Sequence, residues 1–266
     1  MRISNIHDLL EYSLAFGNTE LQAFQTGKDL TDTNNQVISS LFRSIIELSV
    51  GVKVSAENGL RASAELNFRS LLEAYVAFKY ILIDPQKTVK RACAYKVGYH
   101  LQQIESATDA IDAKDEIGTN IQRMNEAIRQ HTDIINQSEL KPMLDEFERL
   151  KRTYYPKWYS LFGGPLSLKQ LVQNLGEQDL VYSIYGSLSK SAHNYIALRA
   201  LTQNGLLPVR SGFNPDNDTF NLGVICTFLV SSAMRFTETT FPEYMNHLLP
   251  FLQEYKAAKT KLGEID

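Results

Sequence analysis

Apolar residues return at three- and four-residue intervals in nearly every segment of this chain, and no convincing run alternates apolar and polar residues between turn signals. The pattern predicts an all-α protein, a single multi-helix bundle with long antiparallel helices. Ile6, Leu9, Leu10 and Leu14 mark a short opening helix that Gly17 should stop, and a second short helix should end near Gly27. Residues 1–30 then read as an N-terminal helical arm and residues 31–266 as the bundle. From about Thr33, the positions Val37, Ile38, Leu41, Phe42, Ile45, Leu48 and Val52 mark a long helix ending around Glu57-Asn58-Gly59. The next carries Leu66, Phe68, Leu71, Leu72, Tyr75, Val76 and Phe78 and breaks at Asp84-Pro85, where Asp84 is placed to cap the following helix and Pro85 to open it.

The polar stretch 86–137 predicts two amphipathic helices on the outside, hinged near Ile111 to Gly118. Ser138-Glu139 should open another, running through Leu144, Phe147 and Leu150, and Trp158 to Pro165 is an aromatic, glycine-containing loop able to wall a pocket or plug a core edge. A helix from about Asp179 to Gln203, a long loop from Leu206 to Asp218, and two helices carrying Leu222, Ile225, Leu229 and Met234, then Leu248, Leu249 and Leu252, complete the chain. No Pro/Gly/Ser linker interrupts it, which favours one helical domain.

Two consecutive long helices share a hexapeptide: Phe42-Arg43-Ser44-Ile45-Ile46-Glu47 recurs as Phe68-Arg69-Ser70-Leu71-Leu72-Glu73. A hairpin turning about Asn58 would set Arg43 opposite Glu73 and Glu47 opposite Arg69. Arg followed by Glu at i,i+4 is the less favourable order within one helix, so pairing across the hairpin is the alternative to two solvated pairs beside a core seam.

The balance of 27 Lys+Arg against 30 Asp+Glu, net charge −3, offers no global attraction for nucleic acid or an anionic membrane. RNA contact would need a local patch, and Lys151-Arg152-Thr153-Tyr154-Tyr155-Pro156-Lys157-Trp158 has the mixture of cations and aromatics that single-stranded nucleic acid uses; the same mixture also suits a helix end followed by a packed turn. Cys93 and Cys226 sit in apolar helical stretches, as reduced core thiols would. The first residues form no apolar leader, and no run approaches the roughly 18 apolar residues of a membrane span, so a cytoplasmic protein is expected. Phosphate loops, dinucleotide fingerprints and zinc spacings are absent; neither a cofactor nor a metal is expected.

The candidate site is the cluster Ser189-Lys190-Ser191-Ala192-His193. Tyr182, Tyr185, Ser189, His193 and Ile196 share one helical stripe, which makes Ser189 and His193 neighbours. His193 can act as acid or base near neutrality, Ser189 can orient it, and Lys190 can offset phosphate charge. A core histidine satisfied by a hydroxyl or carbonyl is the structural alternative.

Phe68-Arg69-Ser70-Leu71-Leu72-Glu73 with Tyr75 and Tyr80, and later Tyr185-Gly186-Ser187-Leu188-Ser189-Lys190-Ser191-Ala192-His193, resemble the bacterial family catalogued as domain of unknown function 5677, over roughly residues 35 to 240. The resemblance implies that Arg69, Glu73, Ser189 and His193 are recurring polar elements, and it brings no established activity. A looser similarity links the architecture to HEPN domains of toxin–antitoxin and antiphage systems, many of them metal-independent ribonucleases. Their arginine, separated from the histidine by four to six residues, has no counterpart before His193, because Leu188, Ser187 and Gly186 occupy those positions.

Two functions are therefore expected as alternatives. One is a nuclease-like effector of a defence or toxin–antitoxin type system, with His193, Ser189, Lys190, Arg69 and Glu73 as its site. The other is a non-catalytic interaction module whose polar cluster is structural. RNA or a protein is the partner each implies; no membrane is involved, and a homodimer is compatible with both.

Overall fold

The computed structural model describes residues 3–113, 120–177, 184, 201–203, 205–206, 215–242 and 245–263. Nearly all of them are helical: α1 (Ile6–Gly27), α2 (Thr33–Glu57), α3 (Arg61–Leu82), α4 (Thr88–Asp112), α5 (Ile121–Ile135), α6 (Lys141–Lys151), a 3₁₀ segment (Trp158–Gly163), α7 (Leu168–Asn174), α8 (Pro215–Thr240) and α9 (Met245–Lys261). The described residues include no helix long and apolar enough to cross a membrane.

The expected all-α bundle is present. Its longest seam is the α2–α3 hairpin. Asp32 caps α2 by accepting a hydrogen bond from the Asn35 amide at 2.8 Å. At the other end, Leu60 N–H donates to the Ser55 carbonyl and Gly59 N–H to that of Ala56, a Schellman closure that needs the left-handed φ of 69° at Gly59.

Several expectations fail for identifiable reasons. Gly17 does not end the first helix; α1 runs unbroken through it. A Cβ there would make ordinary contact, 3.4 Å from Ile46 and 3.7 Å from Leu229, so position 17 is an interior helix position packed against α2 and α8. Asp84 does not cap α4, which begins at Thr88: its carboxylate accepts from the Gln86 amide and bridges Lys87, so Asp84-Pro85 belong to the turn. Leu66, expected on the apolar face, is exposed. The polar α4 is not wholly external, since Cys93, Val97, His100 and Ala107 form a buried stripe. α7 lies where no helix was expected. The expected helix 179–203 is not continuous to its end, because Leu201–Thr202 pair antiparallel with Gly205–Leu206. Of the expected loop 206–218, Leu206 lies in a short strand and Pro215 already opens α8.

The main core draws Leu9, Leu10 and Phe24 from α1, Phe42 and Ile45 from α2, Phe68, Leu71 and Phe78 from α3, and Ile225, Phe228 and Phe236 from α8. A separate, smaller cluster joins Cys93, Ala94 and Val97 of α4 to Leu140, Met143, Phe147 and Leu161. A groove lies between these two apolar bodies.

Candidate functional site

The duplicated hexapeptide faces two ways at once. Its aromatic and aliphatic residues enter the core: Phe42, Ile45, Phe68, Leu71 and Leu72 are buried. Its charged residues bridge within their own helices rather than across the hairpin, Arg43 to Glu47 at 2.9 Å and Arg69 to Glu73 at 3.2 Å. The hairpin register is close to the expected one, with Gly51 lying under the Asn67 side chain. With the apolar positions committed to the core, the i,i+4 charges fall on the opposite face of each helix, where each arginine meets the glutamate of its own turn. Arg43 and Glu47 are both 64% exposed, whereas the Arg69 side chain is only 24% exposed.

What the repeat does bring together is its serines. Ser44 and Ser70, with Glu73, line one open cavity of about 340 Å³. Tyr95, Gly98 and Tyr99 of α4 form a further wall, and Tyr155, Lys157 and Trp158 close the end. A second cavity of about 400 Å³ shares Leu41, Ser44, Tyr95 and Tyr99 with the first and adds Gln36, Ser40, Lys96 and His100, so the two make one groove along α2 and α4. Its walls are hydroxyls and aromatic rings with few charges, Glu73, Lys157 and Lys96 among them.

Trp158 is positioned from both sides. Its ring packs edge-on against Tyr95, with centroids 5.1 Å apart, and tilts against Tyr80 at 5.9 Å. Gly98 makes the fit possible, because a Cβ on it would stand 2.8 Å from the Trp158 Cβ. The expected aromatic loop thus walls a pocket. Tyr155 is fixed at the rim by donating its hydroxyl proton to Glu105 at 3.0 Å.

Sequence reasoning missed two polar clusters, one bordering the groove and one beyond α3. His100 on α4 and His131 on α5 approach Nδ1 to Nδ1 at 2.7 Å, so one ring donates and the other accepts. Burial, then the neighbouring His131 and Lys96, push His100 down to about 4, which keeps it neutral at ordinary pH. Lys96 donates to Thr33 and Gln36 at 2.9 Å each, and Thr33 donates to Glu139. The signal for His100 was its place on the stripe Cys93, Val97, His100; nothing local announced His131 as its partner. On the far side of α3, Glu177 accepts from Lys79 and from Tyr75, which is stacked on Phe228. Gly176, at φ 70°, ends α7 and turns Glu177 toward α3.

Residues 35–204 match the family described as a family of unknown function (DUF5677). The chain belongs to that family. The DUF5677 span takes in α2 to α7, and so the whole groove, Glu73, Lys157, Trp158 and the His100–His131 pair. It also takes in Ser189, Lys190 and His193, which lie outside the described residues, as do Tyr182, Tyr185 and Ser191. Of the expected site residues, the structure therefore places Arg69 and Glu73: they are joined to each other, and Glu73 lines the groove. α1, α8 and α9 fall outside the DUF5677 match, yet residues from each share one core with α2 and α3. No curated protein and no solved structure matches the chain.

Proposed function

We propose that this DUF5677 protein is a nuclease-like effector acting on single-stranded RNA, of the kind used in bacterial defence or toxin–antitoxin systems. One observation carries the reading. Glu73, from the motif that bears the family resemblance, lines the same groove as Tyr155, Lys157 and Trp158, the segment whose composition suits single-stranded nucleic acid. Bases would stack on the aromatic walls while the backbone passes the hydroxyls and Lys157. In the site, His193 serves as acid and base, Ser189 orients it, Lys190 or Arg69 offsets phosphate charge, and Glu73 holds the arginine, as their 3.2 Å contact supports. The alternative, a non-catalytic interaction module, draws on the same contact, since an arginine satisfied by its own helix also suits a structural role.

The test is cleavage of a labelled single-stranded RNA, with growth arrest on expression, comparing wild type with His193→Ala, Arg69→Ala and Trp158→Ala after circular dichroism shows each folded. His193→Ala should lower the cleavage rate about 100-fold or more. Trp158→Ala should weaken RNA binding about tenfold. Cleavage undiminished in folded His193→Ala, or no cleavage by wild type, would leave the interaction module standing.

A further inference from the structure

A cavity of about 340 Å³ lies on the other side of Trp158, between the start of α4, the end of α3 and the segment running to Pro165. Lys87, Lys90 and Arg91 line it, and among the described residues no Asp or Glu does. In a chain of net charge −3, this is a local concentration of positive charge inside a concave wall, the arrangement that attracts and holds an anion.

Lys90 and Arg91 are disposed to receive one, while Lys87 would turn to it from a carboxylate. The Lys90 ammonium rests on the Phe162 ring, 3.4 Å from its centroid, a weaker hold than an anion would offer. The Arg91 guanidinium stacks on Tyr80 at 4.0 Å and donates through Nη1 to the Tyr80 carbonyl, so its planar fork is oriented in advance. Lys87 bridges Asp84 at 2.8 Å. The carboxylates nearby have partners of their own, Asp84 in Lys87 and Glu146 in Arg149 and the Phe162 amide.

Phe162 supplies a second and independent observation. It is the single non-glycine residue with positive φ among the described residues, at φ 56° and ψ 40°, yet 43% of its surface is exposed. A backbone conformation uncommon for a bulky residue thus holds the Phe162 ring at the mouth of a basic cavity, where a planar group can stack on it once Lys90 moves from the ring to an anion.

We propose that this cavity binds a mononucleotide, with its phosphate on Lys87, Lys90 and Arg91 and its base against Phe162. The volume falls within the range of small-molecule pockets, roughly 300–1,000 Å³. The two cavities share Trp158 as a wall, but Lys87, Lys90, Arg91 and Phe162 play no part in the RNA reading, which rests on Glu73 and the Tyr155–Trp158 segment.

Trp158 is the one tryptophan of the chain and lines the cavity, so its fluorescence reports on occupancy. The full chain is titrated with AMP, with ribose 5-phosphate and with adenosine, and affinities are confirmed by calorimetry. AMP should bind about tenfold or more tightly than either fragment. Lys90→Ala should weaken AMP about tenfold. Phe162→Gly should reduce AMP to the affinity of ribose 5-phosphate with Tm unchanged or raised, because glycine accepts this φ without strain. The proposal is overturned if AMP does not bind, if AMP and ribose 5-phosphate bind alike to wild type, or if folded Lys90→Ala keeps full affinity. RNA cleavage lost in His193→Ala with AMP binding intact would separate the two sites.

Discussion

Burial of His100 against His131 couples the protonation of the His100 ring to the packing of α4 on α5. A histidine in the unfolded chain titrates near 6.5, whereas His100 in the fold is held at about 4, first by desolvation and then by His131 and Lys96. Because the folded value is the lower one, the unfolded chain binds a proton between these limits that the folded chain refuses. Stability from this group is therefore complete above the unfolded value and falls as pH drops from about 6.5 toward 4. At about 1.4 kcal/mol per pH unit, the loss between pH 7 and pH 5 is roughly 2 kcal/mol. Urea midpoints at the two pH values should show a drop in wild type that is smaller by about this amount in His100→Asn; equal drops would mean that burial of the neutral ring is not the cause. By contrast, Arg43 and Glu47 are so exposed that their bridge falls in the class contributing a few tenths of a kcal/mol.

At the scale of elements, the same residue type has opposite meanings in different neighbourhoods. Gly98 lies inside α4, where glycine normally weakens a helix by about 0.5–1 kcal/mol relative to alanine. Here the sign reverses, since a Cβ would press to 2.8 Å on Trp158. We expect Gly98→Ala to destabilise by about 1–3 kcal/mol, the range of overpacking, and to shift Trp158 emission. A gain in Tm with unchanged emission would contradict the packing drawn for the groove. This dependence on the neighbour explains which elements were legible in the sequence. The α2–α3 hairpin was, because its apolar repeat and Gly59 act locally. The continuity of α1 was not, because Gly17 reads as a stop until Ile46 and Leu229 are seen against it. In the candidate site, Glu73 and the Tyr155–Trp158 segment could each be singled out from residue type, but their shared groove depends on α4 lying between them. The pairing of His100 with His131 likewise arises only when α5 folds back along α4.

At the scale of the whole molecule, two apolar bodies of unequal size share α4. The main one runs through α1, α2, α3, α8 and α9, tied at its edge by the stacked rings of Phe16 and Phe251 and by the Tyr12 hydroxyl donating to Glu254 at 2.6 Å. The smaller one has seven buried members, and α5 adds only the partly buried Ile134 at its edge. Apolar area removed from water sets how much each body resists opening, so the smaller should open at a lower free energy than the whole. The two cysteines report on this separately, with Cys93 in the small cluster and Cys226 fully buried in the large one. Burial pushes the Cys93 thiol up, so labelling with a thiol reagent is best read at pH 8 or above. At urea concentrations below the main unfolding transition, peptide mapping should find Cys93 modified while Cys226 stays protected. Simultaneous modification of both would mean that α4 transmits the cooperativity of the main core across the groove, and that the walls on either side of Trp158 move as one body.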